Sequence, residues 1–282
     1  MEDIQKAIMR KLPDYSKNQR ILANYILENL QTIPLLSVND LGKKAGVSSA
    51  TVVRFARVLG FQGYLEFRNH LMELLKEKLS PVAKFRATLS KKNEYHDSLN
   101  KIANQVVKNI NFSLQHINPE DFKHIVTHLK ESENIYCLGL GISKFLAEIM
   151  SYQLKLYLKK SFALSGDTLS FAEQIILLNP NDLLIAFSFP PYSRQTVEAA
   201  KLAHQMNIPV VSFTDKKTSP IVQYSVHVLI AKTDNILFTN SLGAISMLMN
   251  ALVTEIALTE DKRVLEGLEK IEEYINDPRF FY

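Results

Sequence analysis

Leu41-Gly42-Lys43-Lys44-Ala45-Gly46-Val47-Ser48-Ser49-Ala50-Thr51-Val52 dictates two helices joined by a tight turn. A short helix over 38–45, started by Ser37, must stop at Gly46, a residue suited to the left-handed conformation at a helix end. The next helix begins after Ser48 or Ser49 and runs to Leu59. Gly42 lets the two helices cross closely, while Val47 and Val52 pack the angle shut. Those are the demands of a helix-turn-helix, whose helices cross at about 90–120°.

Working outward, Ser16 and Gln19 form an S-x-x-Q capping box ahead of Ile21, Leu22, Tyr25, Ile26 and Leu30, so a helix is expected over 17–30. Downstream, Gly60 closes the second helix of the pair. Phe61, Tyr64, Leu65 and Phe67 begin another that reaches about Leu79, and these aromatics are read as the core of a small helical domain. In the helix after the turn, Ser48, Ser49 and Thr51 lie at the end that would enter a DNA major groove. Arg54, one turn on, could reach a guanine edge, and Lys43, Lys44 and Arg57 flank the helix as backbone contacts. The glycine turn alone also fits a plain helical hairpin; together with the apolar spacing and the basic flank it points to double-stranded DNA.

Charge is distributed in the same sense. Of 282 residues, 33 are Lys or Arg and 29 Asp or Glu, a net +4, but residues 1–92 carry +8 and the remainder −4. A basic unit ahead of a mildly acidic one fits a polyanion-binding module joined to a unit with another task. A composition 46% hydrophobic and 22% charged excludes a disordered or fibrous chain. One cysteine, Cys137, and a start without a basic then apolar segment give the expectation of a cytoplasmic protein. The stretch 236–254 is uncharged, yet Asn240, Ser241, Ser246 and Asn250 interrupt it, so it is read as a buried or interface helix and no membrane is expected.

A linker is expected over 81–97, separating a helix-turn-helix domain (1–80) from a second domain (98–282). Leu99, Ile102, Val106, Ile110 and Leu114 are expected to be the buried stripe of a helix over 98–116, followed by another over 121–130. From Asn134, apolar runs at 135–138, 162–164, 183–187, 210–213 and 226–230 alternate with helical stretches. That alternation reads as a doubly wound α/β domain with a parallel sheet.

Ligands of such sheets sit beyond the carboxyl ends of the strands where strand order reverses. After the first strand comes Gly139-Leu140-Gly141-Ile142-Ser143; Lys144 stands where a dinucleotide fingerprint needs a third glycine, and no Walker A sequence occurs. After the third comes Ser188-Phe189-Pro190-Pro191-Tyr192-Ser193-Arg194-Gln195-Thr196, hydroxyls around a helix N-terminus with an arginine among them. Backbone N–H groups, the helix dipole, the hydroxyls and Arg194 together would hold a phosphate monoester without a metal. Either loop alone is also explained by simple N-capping; the pair favours an anion site, and no cofactor is expected.

With these motifs in view, the chain resembles the RpiR family of bacterial transcription regulators, which join a helix-turn-helix domain to a sugar isomerase (SIS) domain. Ala45 to Phe55 followed by Leu59-Gly60-Phe61 is similar to the family's DNA-binding signature, and Gly139 to Ser143 to its first SIS loop. The second SIS loop, S-x-S-G-x-[ST] in the family, departs here: Ser188 matches the first serine, Ser193 and Thr196 best match the later hydroxyls, three residues are extra, and Arg194 stands where glycine is usual. The resemblance implies a phosphosugar effector bound through Gly141, Ser143, Ser188, Ser193, Arg194 and Thr196 that alters operator affinity. It also implies a homodimer or higher oligomer, joined through SIS helices including 236–254, on a pseudo-palindromic operator with half-sites about 34 Å apart or a multiple of it. The alternative is a sugar-phosphate isomerase or lyase using some of Glu148, Glu198, His204 and His227, although these form no evident cluster and no catalytic residue is assigned. Lys144, Arg194 and Asn240 are expected to influence which sugar is taken.

Overall fold

A computed structural model describes residues 2–30, 32–79, 81–90, 97–158 and 160–259, and positions 264, 265, 267–269, 272, 275 and 276 beyond them. The chain divides into two compact units, Met1–Lys92 and Asn93–Tyr282.

The first unit comprises α1 (Glu2–Arg10), α2 (Lys17–Asn29), α3 (Val38–Ala45), α4 (Ser49–Val58), α5 (Tyr64–Leu79) and α6 (Pro81–Ser90). Gln19 accepts the Ser16 N–H at 3.0 Å, the returning half of the capping box. Leu22, Ala23 and Ile26 of α2 meet Leu41, Val52, Phe55, Phe67 and Leu71 in one core. Ile4 and Ile8 of α1 join that core; their spacing of four is too short a pattern to announce a helix in the sequence. Ile21, one of the apolar residues at helical spacing, is exposed. The aromatics form core, as expected: the Tyr64 hydroxyl donates to the Leu36 and Ile33 carbonyls at 3.0 and 3.3 Å, and burial pushes its pKa up to about 12.

Gly46 has φ +69°, and the Val47 N–H closes the turn on the Gly42 carbonyl at 2.9 Å. A Cβ on Gly42 would stand 2.8 Å from the Val47 carbonyl oxygen. Both groups are fixed in the backbone, so Gly42→Ala is expected to destabilise this unit by about 1–3 kcal/mol. Thermal unfolding of the full chain checks this: a lower first transition is expected, and an unchanged one would mean that the helices do not need to cross so closely.

The expected linker is helical over its first part. Pro81–Ser90 is helical, with Pro81 at the first helical position, where its fixed φ suits a helix start. Residues 91–96 lie outside the described residues, and the unit boundary falls within them.

The second unit runs α7 (Ser98–Gln115), α8 (Pro119–Glu131), β1 (Ile135–Leu138), α9 (Ile142–Leu158), β2 (Ser161–Ala163), α10 (Phe171–Ile176), β3 (Leu183–Phe187), α11 (Arg194–Gln205), β4 (Val210–Thr214), β5 (His227–Ile230) and α12 (Gly243–Thr259). All strand pairs are parallel, in the order β2-β1-β3-β4-β5. Every residue of β3 and β4 is buried, as a sheet covered on both faces requires. Leu146, Met150 and Leu154 of α9 share one core with Leu248 and Leu252 of α12 and Ile125 and Leu129 of α8. Phe171 and Ile175 of α10 pack with Ala199, Ala200 and Ala203 of α11 in another. Cys137 of β1 is fully buried, and desolvation pushes its thiol pKa up to about 12.

One sequence expectation is met here and another changes. The uncharged stretch 236–254, expected to be a buried or interface helix, contains α12, which turns Ala244, Ile245, Leu248, Met249, Leu252, Val253 and Ile256 into the domain's own core. On α7 the expected buried stripe is largely outside: Leu99, Ile102 and Leu114 are exposed, while Asn109 and Ser113 are buried. The reason is polar. Asn109 Nδ2 donates to the Asp234 carbonyl at 2.8 Å, and Ser113 Oγ accepts the Lys232 N–H at 2.9 Å, satisfying backbone groups beyond β5.

Candidate functional site

Ser48 caps α4 by accepting the Thr51 N–H at 3.2 Å, and the two hydroxyls lie 2.9 Å apart. Ser49 behaves differently from a phosphate donor: its hydroxyl donates across the turn to Asn39 Oδ1 at 2.7 Å and so ties α4 to α3. Arg54 is exposed, with Nε steadied on the Ala50 carbonyl at 3.3 Å. Among the described residues its terminal Nη groups have no partner, which leaves the planar fork available for a guanine edge. Lys43 and Lys44 are exposed in the last turn of α3; Arg57 is also exposed, with Nε held by the Gln62 carbonyl at 3.1 Å. Capped start, exposed arginine and flanking cations therefore belong to one short stretch of the unit.

In the second unit, strand order reverses between β1 and β3, and Leu138 pairs with Ala186. The loops 139–143 and 188–193 consequently leave adjacent strands at the same carboxyl edge. Gly141 has φ +60°, and a Cβ on Gly139 would come within 2.7 Å of Ser143 Cβ, so the first loop folds tightly back on the start of α9. Ser143 is buried, and no hydrogen bond reaches its Oγ among the described residues. In the second loop Ser193 caps α11 by accepting the Thr196 N–H at 3.3 Å. Ser188 Oγ and Thr196 Oγ1 are buried with no hydrogen-bond partner among the described residues. Leaving a buried hydroxyl unpaired costs about 1–3 kcal/mol, so two at one loop are a standing demand for an acceptor-rich guest.

The remaining sequence candidates are dispersed. Arg194 is exposed at the first position of α11. Lys144 pairs with Asp167 at 3.1 Å, and Asn240 Nδ2 donates to the Pro190 carbonyl at 2.8 Å, so Asn240 is occupied in holding the second loop. Glu198 pairs with Lys201 at 3.7 Å, Glu148 is exposed on α9, and the His204 ring stands 6.2 Å from Tyr224. His227 opens β5 at the amino edge, beside His124 and His128, and desolvation lowers its pKa. A groove of about 570 Å³ along the outer flank of α11, lined by Thr168, Gln195, Glu198 and Gln205, does not include the four hydroxyls at the loops.

Comparison with known proteins gives this arrangement a family. Residues 3–78 match the model of the helix-turn-helix domain of the rpiR family, and residues 128–255 match that of the SIS domain. The chain belongs to the RpiR family. An uncharacterized HTH-type transcriptional regulator of Thermotoga maritima is 25% identical over 95% of this chain and 96% of the relative. The regulator HexR of Pseudomonas aeruginosa is 26% identical over 76% of this chain and 74% of its own. The structure of Vibrio vulnificus NanR complexed with ManNAc-6P matches with a TM-score of 0.65 at 24% identity, covering 96% of this chain and 97% of that one. As an RpiR-family protein the chain is a DNA-binding transcription regulator with a sugar-phosphate-binding type of second domain, and no helix among its described residues is long and apolar enough to cross a membrane.

Sequence reasoning passed over two residues beside these loops. Tyr192 donates its hydroxyl to Asp215 Oδ1 at 2.6 Å, and Asp215 follows directly on β4. The available signal was an acidic residue immediately after a strand whose carboxyl edge carries the loops.

Proposed function

We propose that the protein regulates sugar-metabolic genes in the cytoplasm, binding a pseudo-palindromic operator as a homodimer whose affinity is set by a phosphosugar held between the loops 139–143 and 188–196. In this reading Ser143, Ser188, Ser193 and Thr196 take the phosphate oxygens, with the turn at Gly141 and the charge of Arg194 beside them. Ser48, Thr51 and Arg54 read or grip DNA, Lys43, Lys44 and Arg57 contact its backbone, and Ser49 acts by positioning. The observation that carries the effector site is the pair of buried unpartnered hydroxyls on Ser188 and Thr196. NanR, on the same fold, was solved with the sugar phosphate ManNAc-6P. Exposed Phe145, Ile149 and Tyr152 form a stripe on α9, and with Leu99, Ile102 and Leu114 of α7 they support association of two copies.

Effector and DNA would be coupled by about 1–3 kcal/mol, or 5- to 150-fold in operator affinity. The role is regulation without turnover. The test is thermal shift of the purified protein against sugar phosphates and the corresponding free sugars. A ligand at 100 times its Kd stabilises the folded state by about 2.7 kcal/mol, so stabilisation by a phosphorylated sugar alone is the expected result. Equal response to the free sugar, or none to any phosphorylated one, would overturn the assignment.

A further inference from the structure

Asp215 is a largely buried carboxylate to which neither DNA reading nor phosphate contact assigns a task. Burial holds its carboxyl above the usual carboxylate range, and Lys216 and Lys232 oppose that shift with their charge. The register shows where it stands. Phe187 pairs with Phe213, the Ser188 N–H donates to the Phe213 carbonyl at 3.0 Å, and Thr214 Oγ1 donates to the Ser188 carbonyl at 2.7 Å. Asp215 therefore leaves the sheet beside the loop that starts at Ser188, about one strand spacing of 4.8 Å away.

That loop leads from the end of β3 to the cap of α11 at Ser193, the start of the helix that carries Thr196. A loop that samples several conformations binds a ligand more weakly, by the fraction of time it spends out of the binding conformation. The Tyr192–Asp215 bond at 2.6 Å acts on the residue directly before Ser193, the cap of α11, and hence on the first turn that carries Thr196. The Lys216 ammonium, 5.9 Å from the centre of the Tyr192 ring, lies over the same side chain.

We propose that Asp215 is a positioning residue: through the Tyr192 phenol it latches the loop and sets the first turn of α11 for a phosphate. This rests on the phosphosugar reading above. The latch holds the cap of α11 by a side-chain bond across to the end of the next strand.

The experiment measures the affinity of inorganic phosphate for the full-length protein, from the rise in melting temperature over a concentration series, with each variant referred to its own unliganded value. Tyr192→Phe and Asp215→Ala are each expected to weaken phosphate about 10- to 150-fold, the range for one hydrogen bond to a charged group. The double variant should be no weaker than the weaker single one, because both break the same bond. Asp215→Asn retains an acceptor for the phenol and should bind within about 3-fold of the wild type, a rescue that loss of general packing would not give. Should Asp215→Ala fail to fold, the contrast between Tyr192→Phe and Asp215→Asn carries the test. Wild-type affinity in Tyr192→Phe, additive losses in the double variant, or failure of Asp215→Asn to rescue would overturn the latch while leaving the phosphate site standing. A wild-type protein that binds neither phosphate nor any sugar phosphate would overturn both.

Discussion

Arg54→Ala lowers operator affinity by about 1–3 kcal/mol per half-site, the value of one bidentate arginine–guanine pair, and by about twice that for a dimer engaging both halves. The argument rests on how little the protein asks of this side chain. Arg54 is exposed, only its Nε is engaged, and the Ala50 carbonyl that engages it lies one turn back on the same helix. Truncation therefore leaves the fold unchanged and removes only what DNA would meet. Arg54→Lys should rescue poorly, since a single ammonium cannot reproduce the fork. Lys43→Ala provides the contrast: it should weaken specific and non-specific DNA alike and reduce the salt slope by about 1. Fluorescence anisotropy with an operator duplex over a salt series checks both. Undiminished affinity in Arg54→Ala would show that α4 is not the reading helix.

The second large effect has opposite signs in two assays. Ser188→Ala and Thr196→Val remove hydroxyls that are buried without partners. In the unliganded protein their loss should cost nothing, and relief of the unpaired groups should leave the melting temperature unchanged or raised. Effector binding should suffer in proportion to the charge-assisted bonds removed, about 1.5–3 kcal/mol for each and roughly 10²- to 10⁴-fold for the two together. Most substitutions that abolish binding through disorder lower stability as well, so the combination is diagnostic. Calorimetric titration with the effector and thermal melts without it should be run on the same preparations. A fall in unliganded stability with the ligand response intact would assign these hydroxyls to the fold and not to the site.

Much of this architecture is written locally. Gly46 and Gly42 allow one turn and one crossing, and Ser16, Ser48 and Ser193 each mark a helix start, because caps and turns are decided by a few neighbouring residues. The strands β1 and β3 coincide with their apolar runs since burial on both faces leaves no other pattern. What the sequence could not disclose depends on partners distant along the chain. The stripe on α7 looks buried by periodicity, yet Asn109 and Ser113 point inward because the backbone beyond β5, more than a hundred residues later, needs their hydrogen bonds. Ser49 resembles a DNA contact until Asn39, ten residues earlier, is seen to take its proton. The unpaired state of Ser188 and Thr196 and the bond from Tyr192 to Asp215 likewise exist only once β3 and β4 lie side by side.

The sole cysteine in the chain, Cys137, sits on β1 inside the sheet with no exposure and a thiol held almost wholly protonated at neutral pH. Alkylating reagents will therefore pass over the native protein. A cysteine introduced on the exposed flank of the DNA-reading domain can accept a spin label or fluorophore at a single place per copy without first removing the natural one. In a two-fold assembly the two labels then act as a ruler between recognition helices, and their separation with and without effector can be read directly on an otherwise unaltered sequence.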